Sequence, residues 1–272
     1  MTGIIAAFAL HTVLAASPYK VDYLGDGSLT LSSLGIAALA NMTRSELVGG
    51  ISCKRVVTLG GGERCDPAEL NALDRSVVGN DSQTWSTLSD IGANSSYVLP
   101  LVFDAIDVFA LSHEGVGDFT ADAVVMAESV GLATLATTAL KFAVRRPRPT
   151  QYRDGAYVGT VEHQLSFPSG HTSSTAAAMG AYASTFFLRH PNSPWRFAVA
   201  AGAVALTALT GYARIGGGWH FPTDVLAGAL LGATAGIVVP KMHERGVAVS
   251  SVAPLAGAGT GTALGASMSF AF

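Results

Sequence analysis

The chain has 272 residues, of which 49% are hydrophobic and only 13% are charged, and its net charge is −3. Its 16 Lys and Arg residues form no basic run, so the composition argues against a nucleic-acid-binding protein. The charged fraction is about half that of a typical soluble protein, which indicates an environment in or beside a membrane.

The first 17 residues contain an apolar core and end in small residues, as is typical of a secretory signal and its cleavage site. Such a signal usually begins with positive charge, however, and no Lys or Arg precedes Lys20. An uncleaved N-terminal helix or a misassigned start is therefore the alternative. Export is the favoured interpretation, and it predicts a protein of the cell envelope.

Residues 18–84 form an N-terminal region with loops, and its first part shows no diagnostic pattern. Cys53 and Cys65 lie in a Gly-rich polar stretch, and an even cysteine pair in an exported chain predicts a disulfide. Two unrelated thiols are the alternative. Residues 67–75 place acidic side chains before apolar ones at helical spacing, which predicts a short surface helix.

Residues 85–245 contain the longest apolar segments of the chain. Four of them have helical character, at approximately 120–143, 171–189, 196–213 and 223–240, and a weaker pattern lies at 91–111. Their uncharged runs fall at or just below the roughly 17–25 residues that cross a bilayer core. Abundant small side chains allow close helix packing, in a membrane bundle and in a soluble one alike. We predict an all-α helical bundle, membrane-embedded or membrane-associated, followed by an apolar Gly/Ala/Ser-rich tail over residues 246–272.

The first of three short motifs runs from Lys141 to Pro149 and ends the segment 120–143 with a basic cluster and two prolines. Basic residues at a helix C-terminus are favoured by the helix dipole and often flank a membrane. By itself this motif does not indicate a functional site.

The second motif is Pro168-Ser169-Gly170-His171, directly before an apolar helix. Gly170 permits close approach to the backbone, and the free N–H groups at a helix start form an anion site. A phosphate could therefore lie against these residues. A Ser/Thr-rich helix cap with an incidental His is the alternative.

The third motif runs from Arg214 through three glycines to His220 and Asp224. Pro222 suits the first turn of a helix, and Asp224 then shares a helix face with His220. A carboxylate in that position can accept the ring N–H and leave the other ring nitrogen free to attack. A helix cap with a polar start is the alternative.

Taken in order, the three motifs resemble the signature of the type 2 phosphatidic acid phosphatase and vanadium haloperoxidase superfamily, over roughly residues 85–240. The resemblance implies an all-α bundle whose motifs meet at one phosphate pocket. It implies that His220 is the nucleophile, that Asp224 orients it, and that His171 protonates the leaving alkoxide. The phosphoryl oxygens would be bound by Lys141, Arg148, Ser169, Gly170 and Arg214. One departure is Ala213, since the family usually has Ser before this Arg.

The residues also favour phosphoryl transfer on physical grounds. The reaction needs positive charge around the phosphoryl oxygens, and three cationic side chains could supply it in place of Mg²⁺. No acidic cluster of the kind that holds Mg²⁺ accompanies the motifs, because Asp154 and Glu162 stand alone in their loop. We therefore expect a metal-independent phosphatase without a cofactor, acting through a phosphohistidine.

A pocket between apolar helices favours a phosphorylated lipid as the substrate. The sequence does not choose among phosphatidic acid, phosphatidylglycerol phosphate, an isoprenoid pyrophosphate and a lipopolysaccharide phosphate. The expected partners are this lipid and the membrane, with no nucleic acid, and the site would face the periplasm or exterior. His163 lies in a loop between two motifs that could line the substrate entrance.

Two other functions stay open. In a vanadate-dependent haloperoxidase His220 would ligate vanadium, although the haloperoxidases that the chain resembles are larger and soluble. In a non-catalytic envelope protein the same fold would bind a lipid headgroup or a partner, and Ala213 is the only feature in its favour.

Overall fold

The structure is a computed structural model, and it describes residues 17–48, 53–59, 62–153 and 161–245. These residues form a helical bundle with one small β-hairpin, so the predicted all-α class is confirmed. The helices are α1 (Tyr23–Met42), α2 (Arg44–Leu47), α3 (Ala72–Arg75), α4 (Gln83–Ala105), α5 (Val116–Val144), α6 (Gly170–Arg189), α7 (Trp195–Gly216) and α8 (Pro222–His243). A π-helical segment, Ile106–Leu111, continues α4. The strands are β1 (Val56–Leu59) and β2 (Gly62–Cys65), and 3-10 turns lie at Pro67–Glu69, Pro149–Tyr152 and Val161–Gln164.

The four long apolar segments of the sequence are helices α5 to α8, and local signals set several of their limits. Pro222 opens α8 in its first turn, where its fixed φ suits the helix. The weaker pattern at 91–111 belongs to α4, which begins earlier than the pattern predicts. The Ser82 hydroxyl accepts a hydrogen bond from the Trp85 N–H and caps α4 at that point.

Helix α1 has no clear signal in the sequence, although it spans 20 residues. The Asp22 carboxylate caps it by accepting a hydrogen bond from the Leu24 N–H. The helix packs along α5, where Gly131 allows the close approach: a Cβ there would lie 3.4 Å from the Thr30 carbonyl oxygen. The stability of α1 therefore comes mainly from its packing against α5.

Helix α6 lies at the centre of the bundle, in contact with α4, α5, α7 and α8. Three glycines of α8 at four-residue spacing face it, namely Gly228, Gly232 and Gly236. A Cβ on Gly228 would lie 2.5 Å from the Ser169 carbonyl oxygen, and one on Gly232 would lie 2.0 Å from that of Ser173. Without side chains at these positions the two backbones pack closely. This contact aligns the start of α6, which carries the second motif, with the start of α8, which carries the third.

The other end of α6 carries a buried ionic cluster around Arg189. Its guanidinium pairs with four carboxylates, from Asp104, Asp107, Glu114 and Asp122, whose side chains are at most 2% exposed. These residues come from α4, its π-helical continuation, the next loop and α5. Because an unpaired buried charge is strongly destabilising, the cluster holds the ends of α4, α5 and α6 together.

The β1–β2 hairpin lies at the end of the bundle where the motifs meet. The structure joins Cys53 and Cys65 in a disulfide, with their Cα atoms 5.5 Å apart. Cys65 packs with Leu70, Tyr152 and Phe221 in a small buried core. The predicted pair is therefore bonded in the structure and closes the hairpin, while the packing of Cys65 against Phe221 holds the hairpin at the start of α8.

The segment 67–75 differs from the predicted surface helix. It forms a 3-10 turn and then the one-turn helix α3, which begins where the Asn71 side chain accepts a hydrogen bond from the Asp74 N–H. Asp74 is fully buried because its carboxylate pairs with Arg146. The segment therefore contributes to the interior beneath the site.

Within the described part of the chain, four helical segments are long and apolar enough to cross a bilayer, namely Gln83–Leu111, Val116–Tyr152, Trp195–Gly216 and Pro222–His243. Large apolar side chains project from the bundle surface, such as Leu24, Val204 and Leu230, each more than 60% exposed. These features agree with the predicted membrane-associated bundle. The predicted signal over residues 1–17, except for Ser17, and the tail over residues 246–272 lie outside the described residues.

Candidate active site

All three sequence motifs lie at one end of the bundle. The first ends α5, the second begins α6, and the third connects α7 to α8. A backbone hydrogen bond joins the last two motifs, since the Ser169 N–H donates to the Asp224 carbonyl oxygen at 3.0 Å. His220 is buried among them, with 2% of its surface exposed. Tertiary packing thus brings three distant parts of the sequence to one place.

Positive charge surrounds His220. Burial, and then the charges of Arg148, Lys141 and Arg214, hold the pKa of His220 well below its usual 6.5. The ring is therefore neutral at physiological pH and keeps a nitrogen lone pair. A neutral imidazole beside three cations has the properties of a nucleophile that meets an anionic phosphoryl group.

Two of the cations lie on the Trp219 indole. The guanidinium carbons of Arg148 and Arg214 are each 5.0 Å from an indole ring centroid, within cation–π range. Arg148 also donates to the Glu162 carbonyl oxygen at 2.8 Å and to its carboxylate at 2.5 Å. Arg214 donates to the Ser89 hydroxyl of α4 at 3.2 Å. Both arginines therefore pack against the Trp219 indole.

The third cation, Lys141, lies beside the first turn of α6. Its ammonium donates to the Leu165 carbonyl oxygen at 2.8 Å, and its Cε would lie 3.8 Å from a Cβ on Gly170. The start of a helix offers free N–H groups and the positive end of the dipole. Ser169 is fully buried, and its hydroxyl hydrogen-bonds the Thr172 hydroxyl at 2.9 Å. Lys141 and the start of α6 thus present positive charge side by side.

Asp224 lies beside the His220 ring but at 3.8 Å from its Nδ1, which is longer than a hydrogen bond. Asp224 Oδ2 accepts hydrogen bonds from the Ser166 hydroxyl at 2.5 Å and the Phe221 N–H at 2.9 Å. Its Oδ1 accepts one from Arg146 at 2.5 Å. Among the described residues, the buried His220 Nδ1 has no hydrogen-bond partner. The orienting hydrogen bond that the sequence predicts is therefore not formed in this structure.

His171 faces Asp90, a residue of α4 that lies outside the motifs. Its Nε2 is 3.0 Å from Asp90 Oδ1, and the same oxygen is 3.3 Å from an Arg214 nitrogen. Partial burial, followed by the charge of Arg214, lowers the pKa of His171 to about 4. The ring is therefore neutral in the ligand-free site. A dianionic phosphate would offset the charge of Arg214 and raise the pKa of His171, which would make it a proton donor.

Further residues of the site have no role in the sequence-based interpretation. Arg146 bridges two buried carboxylates, one on α3 and one on α8, at 2.7 and 2.5 Å. Glu162 does not stand alone as the sequence indicates, because it pairs with Arg148 and also with Arg44 at 2.6 Å. Asp154 lies outside the described residues. The acidic partners belong to elements far away in sequence, so no local pattern could have identified them.

His163 lies at the border of the site, against Trp219. The two rings are nearly parallel, at 11°, with 6.5 Å between their centroids. The His163 Nδ1 is 2.9 Å from the Thr150 hydroxyl, and burial lowers the pKa of His163. The loop that carries it therefore borders the pocket.

Part of the sequence matches a known family. Residues 122–247 match the model of the PAP2 superfamily. Over 103 residues the chain is 36% identical to decaprenylphosphoryl-5-phosphoribose phosphatase of Mycobacterium tuberculosis. The aligned region covers 38% of this chain and 51% of that protein. The chain thus spans about half the length of the curated relatives it matches.

Two solved structures are similar to the chain. One is a transmembrane PAP2-type phosphatidylglycerolphosphate phosphatase from Bacillus subtilis, with 24% identity and a TM-score of 0.48 over 80% of this chain and 94% of that one. The other is LpxE of Aquifex aeolicus, with 25% identity and a TM-score of 0.43 over 62% of this chain and 93% of that one. The segment that matches the family model contains every motif residue from Lys141 to Asp224. Residues 122–247 of the chain, which carry all three motifs, therefore resemble the PAP2 superfamily.

Proposed function

We propose that the chain is a phosphatase that hydrolyses a phosphate monoester or pyrophosphate of a lipid, through a phosphohistidine on His220 and without a metal ion. The observation that carries the proposal is a neutral, buried His220 next to Arg148, Lys141 and Arg214. Phosphoryl transfer depends mainly on positioning and on positive charge around the equatorial oxygens. Here the three cations and the start of α6 provide both.

The chemistry proceeds in two steps. In the first, His220 attacks phosphorus, so that an N–P bond forms and the bond to the leaving oxygen breaks, while protonated His171 gives its proton to that oxygen. In the second, neutral His171 takes a proton from water, whose oxygen attacks phosphorus, and the N–P bond breaks to release phosphate. Asp90, 3.0 Å from His171, holds that ring in place. Asp224 stabilises the positive charge that develops on His220.

An apolar groove beside the site supports a lipid substrate. It has a volume of about 680 Å³ and lies between α6, α7 and α8. It begins at Thr172, which follows His171, and extends along α8 from Val225 to Lys241, a distance of about 24 Å. Apolar residues line most of it, and several of them are small, including Ala176, Gly180, Ala203, Ala229 and Ala233. Such a groove fits a hydrocarbon tail whose phosphate end lies among the cations.

The relative from Mycobacterium tuberculosis is named for a substrate that has a prenyl chain and a phosphorylated sugar. These two parts correspond to the hydrocarbon tail and the phosphate end proposed for the ligand of this groove. We take over only this shared chemistry, a phosphate at one end and a hydrocarbon chain at the other. A panel of phosphatidic acid, phosphatidylglycerol phosphate, an isoprenoid pyrophosphate and a lipopolysaccharide phosphate separates the candidates, with a soluble phosphate ester as the reference.

The disulfide supports an orientation of the site. Disulfides persist in oxidising compartments, and the Cys53–Cys65 bond lies at the end of the bundle that carries His220. We therefore propose that the phosphate pocket faces the periplasm or exterior. A membrane-impermeant reductant and thiol label applied to intact cells should modify Cys53, which is partly exposed, whereas Cys65 is buried. Labelling only after the cells are lysed would contradict the orientation.

The function is tested by release of phosphate from the lipid panel by the full chain in detergent with excess EDTA. We expect activity in wild type and none in His220→Ala. His113→Ala is the matched control, since His113 is exposed and lies outside the three motifs. Rapid denaturation during turnover should trap an acid-labile phosphoryl group on wild type that is missing from His220→Ala.

Equal turnover in wild type and His220→Ala would contradict the phosphohistidine. Tight lipid binding with no release of phosphate would favour a non-catalytic envelope protein. Activity that appears only when a divalent metal is added would contradict metal independence.

A further inference from the structure

A second cluster of ionisable side chains lies at the opposite end of α8 from the phosphate pocket. Asp26 of α1, Glu128 of α5 and His243 of α8 each direct one ligand atom to a common place, with all three atoms within 4.8 Å of one another. About 21 residues of α8 separate His243 from the start of that helix, a distance of about 32 Å. The cluster has no part in the proposed phosphatase chemistry.

The His243 ring is oriented as in a metal ligand. Its Nδ1 donates a hydrogen bond to the Val239 carbonyl oxygen at 3.0 Å, so its Nε2 is the nitrogen that faces the carboxylates. In metal sites the second ring nitrogen usually donates to such an outer partner, which fixes the tautomer. Nε2 then points at Asp26 and Glu128.

The two distances from Nε2 to the carboxylate oxygens fit a tetrahedral metal. Nε2 is 3.2 Å from an Asp26 oxygen and 3.3 Å from a Glu128 oxygen. Ligands bound tetrahedrally to Zn²⁺ at about 2.0–2.1 Å lie roughly 3.3 Å from one another. Charge-assisted hydrogen bonds from a protonated His would be shorter, at about 2.7–2.9 Å.

Glu128 supplies independent support for a bound ion. Its side chain is 94% buried, and the oxygen that faces His243 forms no hydrogen bond among the described residues. Across the same residues, neither Glu128 nor Asp26 pairs with a Lys or Arg. Two carboxylates meet here beside the His243 ring, and a divalent cation would balance their charge.

The backbone around the cluster is held in place by the N-terminal segment. The Lys20 N–H donates to the His243 carbonyl oxygen at 2.8 Å, and Tyr19 forms an isolated antiparallel bridge with Glu244. The Asp22 N–H donates to the Asp26 carboxylate at 2.8 Å. Asp26 and His243 thus lie at helix ends that the N-terminal segment already holds in place, as a preformed site requires.

We propose that Asp26, Glu128 and His243 bind one Zn²⁺, or a divalent metal of similar ligand preference, with water as the remaining ligand. The metal attaches α1 to α5 and α8 at the end of the bundle away from the phosphate pocket. Its role is structural, because nothing in the phosphatase site touches it.

The test uses the untagged full chain in detergent, stripped with EDTA and titrated with Co²⁺, whose visible absorption reports tetrahedral coordination. We expect one Co²⁺ per chain, displaced by Zn²⁺. His243→Asn and Glu128→Gln should each weaken binding by on the order of 100-fold or more, since they remove a ligand rather than an outer partner. His113→Ala is the control that removes an exposed imidazole and should bind as wild type does.

Zn²⁺ should also raise the thermal midpoint of the stripped wild-type chain, which needs no variant to fold. Wild type that takes up no more Co²⁺ than His243→Asn, or whose midpoint Zn²⁺ leaves unchanged, would overturn the metal site. Phosphatase activity of the stripped chain below its midpoint should be unaffected.

Discussion

Arg146 is the residue whose replacement tests the architecture of the site most directly. Its guanidinium donates to the carboxylates of Asp74 and Asp224 at 2.7 and 2.5 Å, and to the Thr223 hydroxyl at 2.7 Å. Both carboxylates are fully buried, whereas the Arg146 side chain is 20% exposed. Arg146→Ala therefore leaves two buried negative charges without their shared cation.

The magnitude follows from these contacts. Breaking a buried ion pair by removing one partner destabilises a protein by about 3–5 kcal/mol. The three lost hydrogen bonds, at about 1.5–3 kcal/mol each for charged groups, would together cost more than that. Water can reach the partly exposed site, however, and replaces part of the lost hydrogen bonding. We therefore expect Arg146→Ala to lower the free energy of unfolding by about 3–5 kcal/mol. Phosphatase activity should also fall, because Asp224 lies 3.8 Å from His220 and would lose its anchor.

Arg145→Ala is the matched control for Arg146→Ala. It removes the same charge one residue away. The Arg145 side chain is exposed, and among the residues that the structure describes it donates only to the carbonyl oxygens of Phe142 and Leu47. Arg145→Ala should change the free energy of unfolding by no more than about 0.5 kcal/mol. Unfolding in detergent, followed by circular dichroism, and phosphate release measure both quantities. Equal stability and activity of the two variants would refute the reasoning.

Three further predictions concern packing, pH and the disulfide. Gly232→Ala adds a Cβ 2.0 Å from a carbonyl oxygen of α6 and should destabilise the bundle by about 1–3 kcal/mol. Gly202→Ala is the control, because a Cβ there meets open space and should be neutral or stabilising. Equal unfolding midpoints of the two variants would contradict this prediction. The pKa of His171 is about 4 in the folded chain and about 6.5 when unfolded, so between these values the unfolded chain binds more protons and stability rises with pH. His171→Gln should flatten the dependence of the midpoint on pH, and an unchanged slope in that range would refute the assignment. Replacing Cys53 and Cys65 by Ser should lower stability by about 2–4 kcal/mol under oxidising conditions, and no difference from wild type would mean that the bond does not stabilise the fold.

Much of the helical bundle could be predicted from local sequence. Helices α5 to α8 follow from long uncharged runs, prolines and glycines at their ends, because these signals act over a few residues. The weak helix α1 could not, since its glycines and hydroxyl residues hide the pattern and its stability comes from packing on α5.

The motifs likewise predict which residues meet around His220, because their order and spacing carry the family resemblance. The partners of those residues could not be predicted. Asp90 reaches His171 from α4, and Glu162 pairs with Arg148 across a loop. Such contacts depend on the way that distant elements pack, which no local pattern encodes.

The sequence by itself determined helices α5 to α8 and the set of ionisable residues proposed to bind phosphate, since both depend on residue type and short spacing. Only the tertiary structure decided that Arg146 rather than Arg145 holds Asp224, and that Asp26, Glu128 and His243 meet. The physical reason is that a buried charge requires a partner, while the identity of the partner is set by packing between elements that can lie more than 100 residues apart in the chain.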